Sequence, residues 1–410
     1  MRYLPYRPYS FIDQAPKIPY IFGVFFKREI APPRKKSWFL FGPRQTGKST
    51  YVRSLLTEND LYIDLLPQRE FLGYANEPGR IREEILAHSR THVGFVCAID
   101  EIQKIPRLLD EVHELIESRR IRFILTGSSA RKLRRSNANL LAGRAYTYRL
   151  FSLTRAELGA DFDLERALLV GCLPTLWAST DEEPREFLRS YTESYLREEI
   201  AQEGLTRNIA PFSRFLDTAA ATDGETVNFS NVARECGVSV KTAQQYYEIL
   251  EDTFLAFRLP PWRKSARKRL VAHPRYYFFD TGVTNSLAHT LGRKLNSAVR
   301  GRRFEQLVIT QILAAIEYRR LDHQLFYWRT NTGAEVDLLI CRGQSILAAI
   351  EIKSSRQLGK EPLDGLRSFR SENPHVPTYV LGAGVRERLL GDMATVMSWD
   401  RFIEQVLPDL

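Results

Sequence analysis

Residues 42–50 read GPRQTGKST, and this run constrains the chain more than any other. It fits G-x-x-x-x-G-K-[S/T], with Gly42, Gly47, Lys48 and Ser49 in register. The run before it, Ser37-Trp-Phe-Leu-Phe41, is apolar and aromatic, as a buried strand is. The run after it, Tyr51-Val-Arg-Ser-Leu-Leu56, has helical spacing. Strand, glycine-rich turn and helix start form the context in which backbone N–H groups converge on phosphates. The turn Gly42, Pro43, Arg44, Gln45, Thr46, Gly47, Lys48, Ser49 and Thr50 is therefore expected to cradle a nucleoside triphosphate, ATP. Lys48 would reach the β and γ oxygens, and Ser49 would ligate Mg²⁺.

A chain of 410 residues with 44% hydrophobic side chains has the material for two to four domains. Its 59 Lys and Arg outnumber 49 Asp and Glu, a formal charge of +10. Such a surplus favours a polyanionic partner, nucleic acid and DNA first, with a solvated basic surface as the alternative. The four cysteines, Cys97, Cys172, Cys236 and Cys341, are far apart and suit a reducing compartment better than a disulfide or zinc framework. No apolar run approaches the ~18 residues of a membrane span. The start, MRYLPYRPYSF, is broken by prolines and lacks a signal-peptide core. A cytoplasmic protein without membrane contact is expected.

Five regions are expected along the chain. Residues 1–36, rich in Pro, Tyr and basic side chains, read as an extended arm. From 37 to 150 short apolar strands (WFLFG, LYIDL, FVCAID, RFILTGS) alternate with helical patterns, which predicts a parallel α/β sheet. Residues 151–205 are helical throughout and suit a lid. In 206–269 a helix carrying Val232 and Ala233 meets a turn at Gly237. Ser239 then caps a second helix that packs Ala243, Tyr247 and Leu250. FLAFRL would follow as a wing strand. Such a winged helix serves either as a DNA reader or as a packing module, and these residues leave both open. The segment Arg263-Lys-Ser-Ala-Arg-Lys-Arg269 is a linker basic enough to lie along phosphates. Residues 270–410 return to an α/β pattern, opening on YYFFDTG.

The strand Gly94-Phe-Val-Cys-Ala-Ile99 ends in Asp100-Glu101. A carboxylate at the C-terminal edge of a buried strand completes a Mg²⁺ shell, and the next one polarises the attacking water. Asp100 is assigned to the metal and Glu101 to the water. Arg122-Phe-Ile-Leu125 ends in TGSS, so Thr126 and Ser128 are both candidates to sense the γ-phosphate. The cluster Arg131 to Arg135 and Arg144 supply cations. Arg144 is the preferred residue to act on a neighbouring copy's γ-phosphate, a surface ion pair being its alternative role.

Taken together, GPRQTGKST, AIDEIQKIP, ILTGSS and AGRA resemble the AAA+ superfamily of P-loop ATPases. They look closest to a prokaryotic branch whose ATPase core precedes a domain of unknown function. That branch shares phrases like GCLPTLW, SYLREEI and YYFFDTGVTNSL, so the resemblance runs from about residue 25 to the C-terminus. It implies ATP hydrolysis, a helical lid, a winged helix, and identical copies joined in a ring or partial ring, a hexamer among the possible sizes.

In the tail, Glu305 is followed by Asp337 and by Glu351-Ile-Lys353. This set resembles the PD-(D/E)XK, or restriction-endonuclease-like, fold, although Val336 stands where that pattern has proline. Glu351 and Lys353 are two apart on a strand and share a face. For Asp337 to face Glu351 the hairpin between them needs an odd loop count or a bulge, and one is expected centred on Gly343. Asp337 and Glu351 would then hold Mg²⁺, with Glu305 as a further ligand or water orienter and Lys353 stabilising the nucleophile or the phosphate. The alternative is a polar alternation on a half-buried strand, which an unpaired Glu351 among Ile and Ala argues against.

The leading expectation is an ATP-hydrolysing oligomer that remodels or translocates nucleic acid, branched DNA included, with a Mg²⁺-dependent nuclease-like tail. Its rivals are a nucleotide-dependent regulatory switch with an inactive scaffold tail, and an ATP-licensed nuclease effector of defence.

Overall fold

The computed structural model of the chain describes residues 25–131, 133, 141, 143–178, 184–195, 209–263, 273–355 and 363–410. The Tyr/Pro-rich start up to residue 24, most of the Arg131–Arg135 cluster and the basic linker after Arg263 lie outside them.

Five strands, β1 (Ser37–Phe41), β2 (Leu61–Asp64), β3 (Val96–Asp100), β4 (Arg122–Gly127) and β5 (Ala145–Arg149), form a parallel sheet in the order β2-β3-β4-β1-β5. β1 is buried along its whole length, as a central parallel strand covered on both faces must be. Helices α1 (Lys48–Leu55), α2 (Gln68–Asn76), α3 (Gly79–Ser89) and α4 (Leu108–Arg119) make the connections. Leu108, Leu109, Val112 and Leu115 form the inward stripe of α4. After β1 the chain crosses to the far edge and works back through β3 and β4. The C-terminal ends of β1, β3 and β4 therefore converge where the winding reverses, the usual place for a ligand in such sheets.

The segment expected to form a lid divides between two cores. Leu153, Leu158, Ala167 and Leu168 pack with Phe304, Val308 and Ile312 of the tail. Leu173, Leu176, Leu188 and Tyr191 pack instead with Phe212, Phe215, Val232 and Tyr247 of the middle region. There, helices Phe229–Cys236 and Val240–Asp252 meet at Gly237, whose φ of +69° closes the first helix. Asn228 caps one helix and Ser239 the other. β6 (Ala256–Leu259) and β7 (Arg275–Phe278) then pair antiparallel. β7 lies in the YYFFDTG phrase read above as the start of the tail. It joins the two units, pairing with β6 while Tyr277 packs in the tail's core, and Asp280 caps the buried helix Thr281–Leu287 behind it.

The tail has a six-stranded sheet, β8 (Gln324–Arg329), β9 (Glu335–Arg342), β10 (Ser345–Lys353), β11 (Thr378–Gly382), β12 (Arg388–Leu390) and β13 (Ala394–Ser398), in the order β12-β13-β11-β10-β9-β8. The 23-residue helix Ser297–Arg319 covers one face and helix Asp364–Glu372 the other. The long helix also reaches the first sheet: its Ala314 and Tyr318 pack with Trp38, Tyr51 and Tyr148. Among the described residues no helix is long and apolar enough to cross a membrane.

Candidate nucleotide site and a carboxylate centre in the tail

The phosphate-loop geometry depends on its glycines. A Cβ on Gly42 would stand 2.3 Å from the Leu150 carbonyl oxygen, and Gly47 takes φ +89° just before α1 begins at Lys48. Inside the turn, Thr46 Oγ1 donates to the Pro43 carbonyl at 2.8 Å. Lys48 Nζ donates to the carbonyls of Gly42 and Pro43 at 2.8 and 2.9 Å. Lys48 is buried, Ser49 and Arg44 are half-buried, and Gln45 and Thr50 face solvent. The half-buried Ser49 hydroxyl in the first turn of α1 is the hard oxygen donor a Mg²⁺ shell needs there.

Asp100 and Glu101 stand at the end of β3, both buried. Asp100 Oδ2 accepts from the Tyr62 hydroxyl of β2 at 2.5 Å, and Oδ1 accepts from Thr126 Oγ1 of β4. Burial, then the Asp100 charge, pushes the Tyr62 phenol far up, so it stays a donor. Glu101 takes φ +60°, a left-handed conformation costing a non-glycine residue roughly 1–2 kcal/mol. Its N–H donates to Thr126 Oγ1 at 3.1 Å. Its Oε2 accepts from Ser128 Oγ at 3.1 Å and from Gln103 Nε2, which also donates to Ser128 Oγ. Of the two sensor candidates, Thr126 thus contacts Asp100 and Ser128 contacts Glu101.

Arg28 was invisible as a site residue. Its buried guanidinium pairs with Glu157 at 2.9 Å and donates to the carbonyls of Thr46 and Phe151, both at 2.7 Å, and to the Tyr318 hydroxyl at 3.1 Å. Burial works against its charge, but Tyr318 and Glu157 more than offset that and hold it above the ordinary arginine value. The phosphate loop is thereby tied to the long tail helix. Arg144 lies just before β5, at the sheet edge opposite the phosphate loop, and pairs with Glu117 of α4.

In the tail, β9 and β10 pair so that Ile350 faces Leu338, which sets Glu351 opposite Asp337. The bulge that achieves this is not at Gly343. That residue, at φ +60°, sits in a tight turn whose flanks Arg342 and Ser345 pair regularly. The register instead shifts between Ile346 and Ala348, making Leu347 the extra residue. A second shift between Phe326 and Trp328 places an extra residue of β9 at Asp337 and Leu338. Bulges on both sides thus aim Asp337.

Asp337 Oδ2 accepts from the Ile352 N–H at 2.8 Å, and Glu351 Oε1 from Lys353 Nζ at 2.6 Å. Glu305 Oε1 accepts from the Tyr277 hydroxyl at 2.6 Å and from Arg275 Nη1 at 3.5 Å, both residues of β7. Burial, then the Asp337 charge, pushes Glu305 up to about 7 and Glu351 up to about 8, and burial raises Asp337 too. Glu351 Oε2 is buried without a hydrogen-bond partner, which is a fit for a cation. Yet among the described residues no three His, Cys, Asp or Glu side chains converge as a metal-holding group. The carboxylates feel one another's charge, but Glu305 turns to Tyr277 and Arg275, and Glu351 to Lys353.

Comparison with known proteins divides the chain in three. Residues 34–159 match a family model described as an AAA domain, while 161–295 and 300–402 match two domains of unknown function (DUF8612 and DUF4143). Uncharacterized proteins of Mycobacterium tuberculosis and Mycobacterium bovis are each 28% identical over 309 residues, covering 73% of this chain and 66% of theirs. An uncharacterized protein of Haemophilus influenzae is 21% identical over 335 residues, covering 75% of this chain and 80% of its own. The chain thus spans just under two thirds of the mycobacterial relatives. With the five-stranded parallel sheet, the match at 34–159 supports an AAA-type P-loop ATPase domain.

Proposed function

We propose that the chain hydrolyses ATP at the loop 42–50 and applies that cycle to nucleic acid, DNA first, through its middle and tail units. The observation that carries the reading is the pair Asp100 and Glu101, buried at the converging strand ends and held by Tyr62, Thr126, Ser128 and Gln103. A bound Mg²⁺ would offset the charge that develops on the phosphate oxygens. Ser49 and Asp100 are the residues to hold it. Lys48 neutralises the phosphate tail, and Glu101 orients the attacking water. The formal charge of +10 and the helix pair joined at Gly237 favour a nucleic-acid partner. Arg144, which pairs with Glu117 at the sheet end away from the loop, would serve a neighbouring copy in a ring rather than its own loop. Glu305, Asp337, Glu351 and Lys353 would be the residues of a nuclease-like centre, where a divalent ion would offset the carboxylate charge.

A second reading, a nucleotide-dependent switch with a scaffold tail, is favoured by one observation: the three carboxylates do not converge. The deciding measurement is ATP turnover across single-stranded, duplex, forked and four-way DNA. A severalfold rise with one of these supports action on DNA, and a flat response across the panel leaves the switch.

A further inference from the structure

A cleft of about 390 Å³ opens between the loop 223–226 of the middle unit and the tail. Arg275 of β7, Arg302 and Glu305 of the long helix, Arg329 of β8 and Glu335 of β9 form its other walls, so it leads to the carboxylate centre through Glu305. Every acidic side chain of the walls is already engaged: Asp223 by Arg303 at 3.3 Å, Glu225 by Arg302 at 3.5 Å, Glu305 by Arg275 at 3.5 Å, and Glu335 by Arg275 and by Arg329.

The arginines differ in what they can release. The Arg275 side chain is 5% exposed and serves two carboxylates, so it is structural. Those of Arg302 and Arg329 are 38% and 48% exposed, and their pairs, at 3.5 and 3.7 Å, are long. Half-exposed pairs of that length contribute little. If Arg329 turns away, Glu335 keeps Arg275. Moreover, each of those two pairs engages Nη1 alone of its guanidinium. Guanidinium forks with donors to spare match the oxygens of a phosphate.

We infer that this cleft binds the phosphodiester backbone of a single nucleic-acid strand, with Arg302 and Arg329 taking its phosphates and Arg275 fixing Glu305 and Glu335 beneath them. The volume lies at the small end of ligand sites, room for a nucleotide of one strand rather than for the body of a duplex. The middle unit thus contributes a wall of the tail's site. The inference deepens, and rests on, the reading of the tail as a centre that handles phosphodiesters.

The test is fluorescence anisotropy of the full chain with a labelled DNA strand, in EDTA so that cleavage plays no part. Arg302→Ala with Arg329→Ala should weaken binding about 10-fold and lower the slope of log affinity against log salt by about 1.4, roughly 0.7 for each lost contact. Removing the same charge outside the cleft, with Arg367→Ala and Arg401→Ala, should leave affinity within about two-fold. Circular dichroism melts check that both double variants fold. Equal effects of the two double variants, tighter binding of duplex than of strand, or no binding of the strand by the parent chain would each overturn the inference. Hydrolysis of bis(4-nitrophenyl) phosphate with Mg²⁺ or Mn²⁺ separates it from the reading beneath it, because that small diester needs no strand groove. Diester hydrolysis with strand binding indifferent to Arg302 and Arg329 sinks the groove alone. Strand binding that follows the arginines without diester hydrolysis keeps the groove and sinks the cleavage chemistry.

Discussion

The Tyr62 hydroxyl donates to Asp100 Oδ2 at 2.5 Å across the neighbouring parallel strands β2 and β3. It fixes the carboxylate from the side opposite Thr126. Tyr62→Phe keeps the ring but leaves a buried acceptor unpaired, at a cost of about 1–3 kcal/mol. The Mg²⁺ concentration for half-maximal ATP turnover should rise about 10-fold, as when a residue supporting a metal ligand is lost. Urea unfolding and a Mg²⁺ titration of turnover measure the two effects. An unchanged Mg²⁺ dependence would remove Tyr62 from the site.

Lys48→Ala should abolish ATP binding, and Glu101→Gln should bind ATP and retain it unhydrolysed. Filter retention of labelled ATP, with product analysis, distinguishes the two. Wild-type turnover in Glu101→Gln would mean that another group orients the water.

Arg28→Ala leaves Glu157 buried without its cation and frees the Thr46 and Phe151 carbonyls. Breaking one side of a buried pair costs about 3–5 kcal/mol. The chemical-denaturation midpoint should fall accordingly, and ATP affinity should fall with it because the loop loses its outer brace. A variant that loses stability but binds ATP as tightly as the parent would confine Arg28 to a structural role.

In the folded chain burial, then the Asp337 charge, pushes Glu351 up to about 8 and Glu305 up to about 7, against an ordinary glutamate value near 4.5. The native state therefore holds protons that the unfolded state has released. Their contribution is fully present below about pH 4.5 and is lost as pH rises through 7 to 8. Buried Asp223, at about 7, acts in the same direction. Thermal melts in EDTA should show stability falling from pH 5 to pH 8.5. Glu351→Gln should flatten part of that fall, and Mg²⁺ at pH 8.5 should restore stability to the parent but less to the variant. A parent whose melting temperature rises over this range would contradict the raised values.

The candidate nucleotide site was legible because its geometry is local. A phosphate loop needs its glycines and lysine at set spacings, and Asp100-Glu101 ends a strand whose burial is plain from its composition. Glu351 and Lys353 were readable for the same reason, sharing a face by the strand's two-residue period. What was missed arises from contacts between elements. Tyr62 reaches Asp100 through strand register, and Arg28 reaches Thr46 and Tyr318 through tertiary packing alone. The need for a bulge before Glu351 could be worked out from parity, but its position at Leu347 depends on how β10 packs rather than on the glycine in the turn. The pairing of β7 with β6 was not legible either, because three aromatic residues in a row suit any buried strand and strand pairing is a tertiary contact.

The helix Ser297–Arg319 carries Glu305 in its first half and Tyr318 at its end, roughly 20 Å apart along its axis at about 1.5 Å per residue. Tyr318 is held by the arginine that also holds the phosphate loop, and Glu305 belongs to the carboxylate centre. An α-helix buried along most of its length transmits displacement as a stiff rod does and hardly stretches. The brace of the phosphate loop and the carboxylate centre are therefore fixed to one strut, and a displacement of the loop would reach the tail as a tilt or rotation of that rod rather than as a change in the distance between them.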